Sequence, residues 1–121
     1  LTDPRMPYQG QCTGDETARR VAYHNGTAWP WAYPSFIEAR ASVFHFSELA
    51  VKQALAFFEP LWSHFCAGGI GSFSEMKDGN YPHTCRGCFA YALSVAEALR
   101  VYVRLKYQIN KTNHSHPNNT V

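Results

Sequence analysis

The stretch from Gly71 to Arg86, GSFSEMKDGNYPHTCR, holds two carboxylates, a histidine and an arginine in a glycine-rich, proline-marked segment ahead of a long apolar run. A second segment, Tyr23–Trp31, YHNGTAWPW, adds a histidine, an asparagine and two tryptophans. Tryptophan faces suit the C–H face of a sugar ring, and nearby carboxylates bind hydroxyls or exchange protons. Glu75 sits in a Gly/Ser-rich loop; on local sequence alone it reads as an ordinary exposed glutamate. Asp78, in KDGN, is a turn former and equally a pocket residue. His24 and His83 each read as a donor to a sugar hydroxyl or as a brace for a loop carbonyl. Arg86 has the donor fork to clamp Glu75 or Asp78. Asp15 is the poorer acid candidate, because it falls at a helix start.

Composition narrows the classes. The chain has 121 residues, 45% hydrophobic and 15% aromatic, enough to bury a core in one domain and too apolar for wholesale disorder. Eleven Lys+Arg against nine Asp+Glu give a net charge of +2 with no basic stripe, so nucleic acid is not expected as a partner. No apolar run reaches about 18 residues, so no membrane partner is expected either. The first ten residues lack the apolar core of a signal peptide and an initiator Met, and the expectation is that Leu1 is not the start of the gene product. Cysteines stand at 12, 66, 85 and 88. They read foremost as free thiols in a cytoplasmic protein, then as one disulfide, and least as zinc ligands, since Cys85-x-x-Cys88 has no second pair. The sequons at Asn25, Asn110, Asn113 and Asn118-Asn119-Thr120 read as chance.

The elements that must position these groups are helical. Thr13-x-x-Glu16 matches a capping box and predicts a short helical turn through Arg20. Residues 21–33 read as a packed irregular segment. A first main helix is expected from Pro34 to about Phe46, with Phe36, Ile37, Arg40 and Phe44 at helical spacing. A second is expected over 48–66, with Val51, Leu55, Phe58, Trp62 and Phe65 on one face, a Glu48–Lys52 pair on the other and a kink at Pro60. Trp62 belongs to that core stripe. Gly68, Gly69 and Gly71 end this helix, and a loop runs to Arg86. A third helix, over 87–107, is apolar on most faces and calls for cover from more than one side. Residues 108–121 read as a polar disordered tail. With only three main helices, the chain is expected to self-associate, or to be the end of a larger helical domain.

Three motifs in order, YHNGTAWPW, FFEPLW and GIGSFSEMKDGNYPHTCRGCFAYALSVAEALRVY, closely resemble the C-terminal part of the amylo-alpha-1,6-glucosidase domain of glycogen debranching enzymes, over about residues 8–107. The resemblance implies an all-α fold, a partial (α/α)6 toroid with long pocket-forming loops. It implies hydrolysis of α-1,6-glucosidic branch points in glycogen or related α-glucans, with inversion and without metal or organic cofactor. Glu75 would be the general base. Tyr23, His24, Asn25, Trp29 and Trp31 would line the sugar pocket, joined by Asp78 and His83, with Arg86 as support. The family's general acid is an aspartate in an earlier loop with no counterpart here, so an upstream part of the same domain is the expected partner beside the α-glucan or branched oligosaccharide. Cys85 departs from the family pattern, which commonly has Pro before Arg-Gly-Cys, and the link between the first two main helices is short. The competing expectation is a non-catalytic carbohydrate-binding or oligomer-forming helical remnant. A thiol or zinc module on Cys85 and Cys88 ranks third.

Overall fold

The computed structural model describes residues 5–67 and 71–114. It is mostly helical: α1 (Glu16–Asn25), α2 (Ala32–Val43), α3 (Glu48–Ala56), α4 (Glu59–Ala67) and α5 (Ala92–His114), with one small hairpin, β1 (Met76–Lys77) and β2 (Cys85–Arg86), between α4 and α5. No described helix is long and apolar enough to cross a membrane.

The short turn expected at 16–20 is a ten-residue helix, and Asp15 caps it, accepting from the Ala18 N–H at 2.8 Å. A carboxylate there meets an orphan amide and the positive end of the helix dipole. The segment expected to be irregular from 21 therefore begins as helix. It leaves that helix at Gly26, where the Gln9 backbone lies so close that any Cβ would collide with it. Beyond it, Ala28 pairs with Lys77 through two backbone bonds of 2.8 and 2.9 Å, laying the Trp29 segment against the hairpin.

The second main helix is two helices rather than one kinked one. A two-residue turn at Phe57–Phe58 separates α3 from α4, and Pro60 falls in the first turn of α4, where its missing N–H has no intrahelical partner to lose. The apolar stripe read from the sequence still holds. Val51, Phe58 and Leu61 are buried with Ile37, Ala41, Phe73, Ala98, Val101 and Leu105, and Leu55, Trp62 and Phe65 pack against them. Trp62 stacks on Phe58 with centroids 5.9 Å apart and meets Tyr102 edge-on at 5.3 Å. The Glu48–Lys52 pair forms at 2.5 Å.

Helix α2 turns a different face inward from the one its aromatics suggested. Pro34, Ile37 and Ala41 are buried, while Phe36 and Phe44 are exposed. Small Ala41 lets α2 approach α5, and Glu38 ties the two helices through Arg100 and Arg104, both at 2.7 Å. Arg40 lies over the rings of Phe44 and Phe57.

The third main helix begins five residues later than expected, because 87–91 serve the loop. Gly87 has φ +69°, and the Tyr91 N–H donates to the Phe73 carbonyl at 2.8 Å. Its far end runs through 108–114, residues assigned to the tail by their polarity; residues 115–121, like Gly68 and Gly69, lie outside the described ones. Ser94, Ala98, Val101 and Leu105 form its buried stripe, whereas Leu99 (60%), Val103 (55%) and Tyr107 (66%) make an exposed apolar one.

Candidate functional site

The hairpin brings the two sequence-predicted carboxylates to opposite fates. Asp78 is 2% exposed. Its Oδ1 accepts from the Cys12 N–H at 2.8 Å and from Arg86 Nε at 3.2 Å; its Oδ2 accepts from Arg86 Nε at 3.1 Å and Nη2 at 2.9 Å. The Arg86 bonds, with the Cys12 amide, hold the Asp78 carboxyl below the usual carboxylate range, and the Asp78 bonds hold Arg86 upward in turn. Arg86 thus clamps Asp78 rather than Glu75. Its bidentate fork ties the two sides of the hairpin together, and the Cys12 N–H on Asp78 Oδ1 pins the hairpin to the segment around Cys12, where Cys12, Ala22 and Met76 make a small second core.

Glu75 is half-buried and precedes β1. Tyr23 Oη donates to its Oε1 at 3.3 Å, and the Cys88 N–H donates to its Oε2 at 3.0 Å. The backbone closes the same unit, with the Glu75 N–H donating to the Cys88 carbonyl at 2.8 Å. Gly87 makes this possible: a Cβ there would lie 3.0 Å from Glu75 Cβ and closer still to Oε2. Each carboxylate oxygen has one donor and a remaining lone pair, so the group is oriented yet able to accept from water. Burial, and then the Glu75 charge and hydrogen bond, push the Tyr23 phenol upward, which keeps it a donor.

Tyr23 meets Trp29 edge-on with centroids 4.6 Å apart and His24 at 5.0 Å. Trp29 borders an open cavity of about 400 Å³ whose walls include Pro30, Tyr33, Leu61, His64 and Lys77. Of Glu75, Tyr23 and Trp29, Trp29 alone lines the cavity; Tyr23 and Glu75 connect to it by the Tyr23–Trp29 ring contact and the Tyr23–Glu75 hydrogen bond. Trp31 is partly exposed and is not among the cavity-lining residues. His24 is exposed beside Tyr23. The Asn25 side-chain amide is engaged elsewhere, donating to the carbonyls of Met6 and, at 2.8 Å, Pro7, and so anchors the N-terminal segment. His83 has φ 61° and places Nδ1 3.1 Å from the Asp78 carbonyl oxygen, inside the hairpin turn.

The sequence reading missed His64 and Ser74 as partners of the loop. His64 comes from α4, three residues after Leu61 on the buried stripe, and that register is the one signal that could have placed it inward. Its Nε2 accepts from the Ser74 N–H at 3.3 Å, Ser74 Oγ lies 3.2 Å away, and its Nδ1 lies 3.6 Å from Cys85 Sγ. Burial, then the Lys77 charge, pushes its pKa down, so the ring is neutral. The four cysteines are free, and no group of three or more His, Cys, Asp or Glu among the described residues could hold a metal ion.

The family model described as amylo-alpha-1,6-glucosidase matches residues 1–100, and the chain belongs to that family. Its function is accordingly of the glycoside-hydrolase, glycogen-debranching type. Comparison with curated proteins and with solved structures gives no match.

Proposed function

We propose that this chain supplies the general-base side of an inverting α-1,6-glucosidase site that removes branch-point glucose from glycogen or a related α-glucan. Glu75 accepts a proton from the water that attacks the anomeric carbon. Trp29 and Tyr23 offer the aromatic wall for the sugar, with His24 at the rim. The observation that carries the reading is the Glu75 carboxylate: oriented by Tyr23 and Cys88, half-buried, and linked through the Tyr23 ring to Trp29, which borders the cavity, in a chain of this family. In this reading the helices are part of an (α/α)6 toroid. The remaining helices, and an acid about 6.5–9.5 Å from Glu75, come from an upstream part of the same domain.

The test follows the released sugar by NMR when the complete enzyme acts on a glucosyl-branched oligosaccharide. β-Glucose as first product is expected. Release of α-glucose would refute inversion, and undiminished release by Glu75→Gln would remove Glu75 from the base role.

The exposed stripe of Leu99, Val103 and Tyr107 on α5 favours a second reading, an oligomer-forming or carbohydrate-binding helical piece without catalysis. In that case oligosaccharide changes the tryptophan fluorescence with no glucose released. Sedimentation of the chain then shows association that Val103→Lys weakens. A monomer at every concentration contradicts the oligomer-forming form of this reading.

A further inference from the structure

The thiol of Cys85 occupies a setting that the glucosidase reading does not use. The Ser74 N–H donates to His64 Nε2, which requires a lone pair there, so the ring proton of neutral His64 is on Nδ1 and faces Cys85 Sγ at 3.6 Å. Lys77 is the residue directly across from Cys85 in the hairpin, and directly opposed side chains share a face. The Cys85 sulfur therefore faces a ring N–H donor, and Lys77 shares its face of the hairpin. His64 and Lys77 also line the cavity of about 400 Å³, which gives a small molecule an approach to this corner. Cys85 is half-buried, and Cys88, three residues on, is an exposed free thiol.

We infer that Cys85 is a peroxide-reactive thiol and that Cys88 resolves its oxidised form. In the first step the Cys85 sulfur attacks hydrogen peroxide. An S–O bond forms, the O–O bond breaks, and the departing hydroxide leaves as water with the thiol proton. Sulfur is oxidised by two electrons and the peroxide reduced. In the second step the Cys88 sulfur attacks the sulfenic acid: S–S forms, S–O breaks, and water departs with the Cys88 proton. The Cys88 N–H is one of the two donors on Glu75, so the disulfide alters the loop that orients this carboxylate. That consequence alone rests on the proposed role of Glu75; the thiol chemistry does not.

The experiment treats the reduced chain with limiting hydrogen peroxide and maps the products by peptide mass spectrometry, with dimedone to trap sulfenic acid. Cys85 is expected to react about tenfold or more faster than exposed Cys66. The wild-type product is a Cys85–Cys88 disulfide, and Cys88→Ser accumulates trapped sulfenic acid at Cys85. Replacing buried His64 risks unfolding α4, so the environment is probed by Lys77→Met, which slows Cys85 with helix content unchanged by circular dichroism. Reaction at Cys66 as fast as at Cys85 would overturn the proposal, as would a rate unaffected by Lys77→Met. Equal trapping in wild type and Cys88→Ser would remove Cys88 from its role. In the complete enzyme, peroxide should lower glucose release reversibly, and Cys85→Ser should abolish that sensitivity. If the enzyme releases no glucose at all, the proposed function fails while the mass measurement still decides the thiol chemistry.

Discussion

Asp78 and Glu75 lie three residues apart in one loop, and their surroundings differ in nearly every respect. Asp78 is sealed, paired with Arg86 and committed to a backbone amide. Glu75 is half-buried, with no cationic partner among the described residues, steadied by a phenol and a backbone amide. A carboxylate that holds a fold has all its acceptors filled from within. One that handles a water must be oriented and still have a lone pair to give. Burial and charge pairing alone would favour Asp78 as the functional group; the role proposed for Glu75 rests instead on its partly open carboxylate.

The largest expected effect separates the two on stability. Asp78→Ala leaves the Cys12 amide without its acceptor and Arg86 without its partner. Arg86 is 32% exposed at its side chain, so water relieves part of the loss. Chemical denaturation should show a cost of about 3 kcal/mol, against less than about 1 kcal/mol for Glu75→Gln. Equal costs would break the comparison.

Acid sharpens it. The Arg86 bonds depress the folded-state pKa of Asp78, and the Arg100 bonds depress that of Glu38. For a depressed carboxyl the unfolded chain binds the proton more readily. Its contribution is complete above the unfolded value of about 4 and declines as pH falls through the lower folded value. Denaturation midpoints should therefore fall below about pH 4, and Asp78→Asn should flatten that decline. A wild-type midpoint unchanged from pH 6 to 2 would contradict the pairing.

A smaller effect is expected at Gly87. Its φ of +69° and the nearness of Glu75 make Gly87→Ala cost about 1–2 kcal/mol. The same change should lower glucose release by the complete enzyme, because the Cys88 N–H moves. A stability loss with full activity would show that this turn does not orient Glu75. Smallest is Tyr23→Phe, which removes one hydrogen bond at 3.3 Å and should cost about 0.5–1 kcal/mol. Differential scanning calorimetry would resolve it, and a shift as large as that of Asp78→Ala would be inconsistent with a single bond.

Much of this arrangement was legible in the residues. The stripe from Val51 to Phe65 survives intact, since a repeat of that length is set by burial rather than by where the helix breaks. The break itself is not legible, because a proline at the first turn of a new helix and one that kinks an old helix look alike in sequence. The Tyr23–Glu75 contact spans 52 residues and goes with an isolated bridge between Ala28 and Lys77, which has no periodicity to reveal it. Arg86 offered two partners by spacing, and burial of Asp78 selected one. His64 carried a legible register but no hint of Cys85, which reaches it only once the hairpin folds back. The last helix starts later than its composition suggests, since Gly87 and Cys88 continue the apolar run while the Cys88 backbone bonds to Glu75.

Under the proposed function Glu75 carries the proton and Asp78 holds the loop. The most direct measurement compares Glu75→Gln and Asp78→Asn in the complete enzyme, recording glucose release from a glucosyl-branched oligosaccharide together with the thermal midpoint. Glu75→Gln should lose about 10²- to 10⁴-fold in release with its midpoint nearly unchanged, and Asp78→Asn should lower the midpoint while molecules still folded retain release. A Glu75→Gln enzyme that releases glucose at the wild-type rate would contradict the account.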